Sequence, residues 1–158
     1  MIYSDNMHKE NSYRHILKWG DKREEGISHH MADLIREKFG LSDEDFKGRH
    51  LPGTEPVRLE KPPMLKPVQF DFFRSVSGAE NVLADDLSRA RFSCGKFYGE
   101  LLDLRLGLVP DPPDAVVAPR THEEVEKIIR YCSSEAIAVV PAGGLSSVTG
   151  AVRAPAGG

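Results

Sequence analysis

Two cysteines are all that this 158-residue chain contains. Cys94 and Cys132 cannot build a metal cage or a dense disulfide framework. Charge of one sign is missing too: 21 Lys and Arg stand against 24 Asp and Glu, a formal net charge of −3. So even a balance gives no bulk attraction to nucleic acid or to an anionic membrane, and no nucleic-acid partner is expected. No apolar run approaches the roughly 18 residues that a membrane-spanning helix needs, so no transmembrane segment is predicted. The opening Met1-Ile-Tyr-Ser-Asp-Asn6 has no basic region followed by an apolar stretch. It therefore reads as no secretory signal, and the expected location is the cytoplasm.

What the chain does have is 40% apolar residues. That suffices for one modest core or slightly more, and at this net charge it excludes a wholly disordered chain. The ending, Gly150-Ala-Val-Arg-Ala-Pro-Ala-Gly-Gly158, is glycine-rich and follows an apolar stretch. It reads as a connection to further sequence, which makes the chain the N-terminal piece of a longer protein. A natural flexible tail has the same composition.

Residues 1–27 are polar and mixed in charge, anchored by Tyr13, Ile16, Leu17 and Trp19. Ser28 then offers an N-cap, and Met31, Leu34, Ile35 and Phe39 share one helical face. Gly40 fits the left-handed stop after that helix, and Ser42 opens an acidic turn through Asp43, Glu44 and Asp45. Residues 51–68 hold five prolines, Pro52, Pro56, Pro62, Pro63 and Pro67. Each lacks an amide donor and restricts its predecessor, so an extended linker is expected there, with a proline-rich docking ligand as the alternative. Two helical pieces follow between 77 and 107, one carrying Val82, Leu83, Leu87 and Ala90, the other Phe97, Leu101 and Leu104. Ser93-Cys-Gly95 separates them, and Gly107 ends the second.

The last third carries the clearest pattern. Ala115-Val-Val-Ala118, closed by Pro119, predicts a short buried strand. Thr121 and Glu124 have capping-box spacing. Val125, Ile128, Ile129 and Cys132 mark one face of a helix from about His122 to Ser134. Ile137-Ala-Val-Val140 predicts a second strand. Strand, helix and strand together imply a β-α-β unit with parallel strands and a right-handed crossover. The expected organisation is an N-terminal helical region (1–50), a proline-rich linker (51–76), a helical lead-in (77–112) and the start of a mixed α/β domain (113–158).

Chemistry is best sought directly after that second strand, in Pro141-Ala-Gly-Gly-Leu-Ser-Ser-Val-Thr-Gly150. Glycines let backbone approach a ligand, successive N–H groups can form an anion-binding nest, and ligands of open parallel sheets sit beyond the strands' carboxyl ends. The loop is neither Gly-x-Gly-x-x-Gly nor a P-loop. By composition alone it also fits a flexible surface turn. His29-His30 are adjacent, so they point about 100° apart on a helix and do not converge on a metal as i, i+4 histidines do. No metal site is expected. His122 reads as structural, Cys132 as core, and Asp85-Asp86 as the wet side of a helix.

Three segments together resemble the start of the FAD domain in flavoproteins of the vanillyl-alcohol oxidase and para-cresol methylhydroxylase type. They are Gly95-Lys-Phe-Tyr-Gly-Glu-Leu-Leu-Asp-Leu-Arg-Leu-Gly107, Pro113-Asp-Ala-Val-Val-Ala-Pro-Arg-Thr-His-Glu-Glu-Val125 and Val140-Pro-Ala-Gly-Gly-Leu-Ser-Ser-Val148. Within that superfamily, the Gly-Lys-aromatic-Tyr helix ahead of the Pro-Asp-Ala-Val-Val strand, together with Trp19-Gly20-Asp21, resembles the alkyldihydroxyacetonephosphate synthases and their bacterial relatives.

The resemblance implies an α/β (α+β) fold: an N-terminal helical region followed by the first β-α-β unit of an FAD-binding domain, truncated. It implies FAD as cofactor, its pyrophosphate wrapped by Pro141, Ala142, Gly143, Gly144, Leu145, Ser146 and Ser147. The implied substrate is a small hydroxylated compound, oxidised by the flavin, or an acyl-ketone phosphate that exchanges its acyl chain for a fatty alcohol in ether-lipid synthesis. A second copy of the chain is the expected protein partner. The catalytic acid and base of such enzymes lie later in the chain, so no catalytic residue is named. The family has three glycines and then Thr-Ser, where this chain has Gly143-Gly144-Leu145-Ser146-Ser147. A leucine in positive φ would be strained. The expectation is therefore negative φ, with the Leu145 side chain packed beside Val148. The alternative to a flavoenzyme region is a non-catalytic remnant of the flavin fold or a small α/β interaction module.

Overall fold

A computed structural model describes residues 11–17, 28–46 and 53–156. Its elements are α1 (Tyr13–Leu17), α2 (His29–Phe39), α3 (Pro67–Ser77), β1 (Val82–Leu83), α4 (Asp86–Arg91), α5 (Tyr98–Arg105), β2 (Val116–Val117) and α6 (His122–Glu135). Short 3-10 turns at Asp43–Phe46 and Ala79–Asn81 complete them. Trp19-Gly20-Asp21 lies outside the described residues.

Local signals set the ends of α2 and α6. Ser28 Oγ accepts the Met31 N–H, and Gly40 closes α2 at φ 63°. Thr121 Oγ1 accepts the Glu124 N–H, and Ala136 closes α6 at φ 54°. The Glu124 carboxylate reaches back to the Arg120 N–H rather than to the cap residue itself. α5 ends where expected, with Gly107 at φ 72°.

The fold is mixed α and β, and its pairing differs from the crossover expected. β2 pairs antiparallel with β1, Val82 opposite Val117 and Leu83 opposite Val116. The Ala118 N–H donates to the Asn81 carbonyl at one end. Val82 and Leu83, read as helical, therefore form a strand. Residues 137–140 form no strand. A ladder needs a neighbour with free N–H and C=O groups, and no described strand pairs with this segment, although Ile137 packs against the core that holds Val82.

The proline-rich stretch also departs from a free linker. Pro67 takes the first position of α3, where the missing amide would be unpaired in any residue. The Gln69 side chain accepts the Lys66 N–H, closing the turn. Upstream, residues 53–66 are irregular yet docked. The Tyr13 hydroxyl donates to the Arg58 carbonyl, the Leu59 N–H donates to Asp86, and the Met64 N–H donates to Asp114.

Two cores result. Tyr13, Ile16, Val57, Ala90, Cys94 and Leu104 make the first, joining α1, α4 and α5. Phe73, Val82, Ile128 and Cys132 make the second, where α6 lies on α3. There the Tyr131 ring stacks on Phe72 at 3.7 Å and meets Phe73 edge-on. The buried Arg89 ties the two together. Its guanidinium Nε donates to the Pro113 carbonyl at 2.8 Å, just ahead of β2. Of the acidic pair, Asp85 caps α4 and Asp86 binds the Leu59 N–H, so neither is idle on a wet face.

Candidate functional site

The loop after α6 runs from Pro141 to Gly150. It is exposed along Pro141–Gly144 and turns inward at Leu145, which is buried. Leu145 adopts φ 54°, contrary to the negative φ expected. Its expected neighbour Val148 is largely exposed, so that apolar layer does not form. The physical reason is a balance of similar magnitudes. A left-handed non-glycine residue is strained by on the order of 1–3 kcal/mol. Burying a leucine side chain returns roughly 1.5–3 kcal/mol.

Gly143 and Gly144 differ from the other described loop glycines. Neither has positive φ, and a Cβ on either would meet nothing within 4 Å. Nothing in the described part of the fold requires glycine at these two positions. Among the described residues, the backbone N–H groups from Ala142 to Ser146 also donate no hydrogen bond. Open glycines and unclaimed amides leave backbone available to a ligand at close range.

The far side of the loop is fixed. The Lys96 N–H donates to the Ser147 carbonyl at 2.8 Å. Gly95 sits so close beneath that a Cβ there would collide with the same Ser147 oxygen. Ser147 Oγ accepts the N–H groups of Thr149 and Ala151, which holds the turn that follows and leaves its own proton for a donor bond. Glu100, 2% exposed, completes the anchor. One carboxylate oxygen accepts the Gly95 N–H at 3.1 Å, and the other accepts Arg153 Nε at 2.7 Å. That hydrogen bond and the carboxylate charge hold the Arg153 guanidinium above its ordinary pKa.

The structure thus gathers the predicted loop residues on one edge and adds Gly95, Glu100 and Arg153, which the sequence reading did not assign to the site. Gly95 and Glu100 do lie in the Gly-Lys-aromatic-Tyr segment, but Glu100 and Arg153 are 53 positions apart, and no local spacing signals such a pair. The other candidates stay elsewhere. His29 and His30 are exposed in the first turn of α2, and His122 is exposed at the start of α6. Both thiols are buried. Burial pushes Cys132 up, and burial with the negative charge of Glu100 pushes Cys94 up. Protonated thiols in these settings are poor nucleophiles.

With this geometry in hand, the likeness to known proteins can be placed. Residues 113–158 match the FAD binding domain family, which makes FAD the cofactor of this region. The chain is similar to alkyldihydroxyacetonephosphate synthase of Trypanosoma brucei brucei, 33% identical over 127 residues, covering 78% of this chain and 21% of that protein. It is also similar to the enzyme of the same name in Caenorhabditis elegans, 30% identical over 156 residues, 97% of this chain and 25% of the relative. A solved structure of an alkyldihydroxyacetonephosphate synthase superposes with a TM-score of 0.72 at 22% identity, over 94% of this chain and 31% of that one, and shows the fold. The chain therefore spans about a fifth to a quarter of the length of these curated relatives. The residues present fit the cofactor's pyrophosphate: an anion needs donors at close range, and Ala142–Ser146 offer amides that no described residue uses, past glycines with open space beside them.

Proposed function

We propose that this chain is the N-terminal part of an FAD-dependent flavoprotein, and that Pro141–Ser147 holds the FAD pyrophosphate. The observation that carries the reading is the Gly143-Gly144 pair. These glycines are not held at positive φ and relieve no clash within the described fold, and the space beside them suits the close approach of a ligand. The amides of Gly143, Gly144 and Leu145 donate to phosphate oxygens, and the exposed Ser146 hydroxyl adds a donor. Ser147 supports from behind, since its carbonyl and hydroxyl oxygens are already engaged.

Similarity to the alkyldihydroxyacetonephosphate synthases supports a more specific reading. In it, the whole protein replaces the acyl chain of a ketone phosphate by a fatty alcohol, as in ether-lipid synthesis. FAD supplies the redox-active ring for that exchange, while the residues described here bind and orient the cofactor's phosphate end. Among them we assign no catalytic residue.

Titrating FAD into the intact protein tests the loop. Gly144→Val places a branched side chain in the open space that the phosphate needs. It is expected to weaken FAD binding by roughly tenfold to a hundredfold, at about 1.4 kcal/mol per decade, with little change in stability because no described residue crowds position 144. Unchanged affinity would show that the loop does not hold the pyrophosphate.

A further inference from the structure

Glu100 is a buried carboxylate for which the cofactor reading has no direct use, since both of its oxygens are engaged within the chain. Its two oxygens divide between the two supports of that loop. One takes the Gly95 N–H, directly beside the Lys96 N–H that holds the Ser147 carbonyl. The other takes Arg153 Nε, just past the turn closed by the Arg153 N–H to the Gly150 carbonyl. The carboxylate side chain is 1% exposed against 57% for the arginine, so the pair is anchored at its α5 end. The Arg153 end stays open to solvent, so the buried carboxylate is what holds the geometry.

We propose that Glu100 is a positioning residue for FAD. Through Gly95 and Arg153 it clamps both flanks of the segment from Leu145 to Arg153, and so fixes where the Gly143–Ser146 amides present themselves. The role rests on the pyrophosphate reading of the loop. It differs from a merely stabilising ion pair because its loss moves the loop, and hence cofactor affinity, more than it moves the rest of the fold.

The test uses the intact protein, with FAD as the titrated ligand and amide exchange as a second readout. Arg153→Met acts at the exposed end of the pair and so is compatible with folding. Glu100→Gln keeps a carbonyl acceptor for Gly95 and drops the charge. Each is expected to weaken FAD binding about tenfold, the double variant no further than the worse single one, and Arg153→Lys to recover most of the loss. Amide exchange at Lys96, Thr149, Ala151 and Arg153, whose N–H groups are bonded in this turn, is expected to quicken in both single variants, while Ile128–Tyr131 in α6 keeps its wild-type rate. Unchanged FAD affinity in both single variants overturns the proposal, and so does weakened affinity with unchanged exchange in the loop. Gly144→Val separates the two levels. If it weakens FAD while Arg153→Met does not, the positioning role fails and the pyrophosphate reading stands. If neither variant has an effect, the pyrophosphate reading fails, and the positioning role with it.

Discussion

α2 and α6 are built to the same local plan and meet different fates. Each has a hydroxyl N-cap, an apolar stripe at helical spacing and a left-handed stop. Yet α2 buries no residue, and Phe39 is 73% exposed, whereas α6 buries Ile128 and Cys132 against α3. The difference is the neighbour. α3 offers Phe72 and Phe73 to the Tyr131 side of α6, and α2 finds no equivalent surface among the described residues. Even in α6 the cover is partial, because Val125 and Ile129 stay exposed. Caps and periodicity specify that a helix forms and which way it faces. They do not supply the surface it faces.

The largest test of that contrast compares two phenylalanines. Phe73 is 3% exposed beneath α6, and Phe73→Ala is expected to cost about 3–5 kcal/mol in denaturant unfolding. Phe39→Ala on α2 should stay within about 0.5 kcal/mol. Equal effects would mean that α2 has a packing partner that the described residues do not show. A smaller test exchanges the two stops. Gly40→Ala should lose roughly 1 kcal/mol of helix stability and Ala136→Gly should gain a similar amount, since both positions hold positive φ. Helicity by circular dichroism reads the first, the unfolding midpoint the second.

The smallest test sets these hydroxyl caps against the carboxylate cap of α4. Burial pushes the Asp85 carboxyl up, but hydrogen bonds from Ser88 outweigh it and hold the pKa below its ordinary 3.8. The folded state therefore favours the ionised form. The contribution of this cap is complete above the unfolded pKa and fades as pH falls through the folded one. Asp85→Ser should flatten the stability profile as pH falls through and below the ordinary carboxylate range and change little at neutral pH. Thr121→Ser should leave that profile unaltered.

What could be read from the sequence follows the same division between local and distant. α2, α5 and α6, with the stops at Gly40 and Gly107, were legible because propensity, capping and period act within a few residues, whereas the stop at Ala136, a non-glycine residue at positive φ, carried no such signal. α3 was hidden by the prolines around it, although Pro67 at the first helical position and Phe70, Phe73 and Val76 at steps of three carried its signal. The β1–β2 pairing was not legible, because two residues give no alternation to count and Val82 and Leu83 pair with Val117 and Val116, far along the chain. In the candidate site, the glycine pair stood out by composition. The sign of φ at Leu145 did not, because it depends on burial of its side chain. The Glu100–Arg153 anchor is a tertiary contact with no sequence period behind it.

Gly95 and the Gly143-Gly144 pair answer to different constraints, and this bears on how such a chain would change over time. At position 95 the missing methyl group is demanded from within, by the Ser147 carbonyl pressed against it. Every descendant that keeps this fold must keep glycine there, whatever else it does. At 143 and 144 the described fold makes no such demand, and in the proposed reading it comes from the cofactor's phosphates. A chain that had stopped holding its cofactor could accumulate alanine, serine or lysine at those two positions without a stability penalty. If the loop holds the pyrophosphate as proposed, glycine at both is what continued use would preserve, a local mark that sets a working flavin region apart from an inert remnant of one.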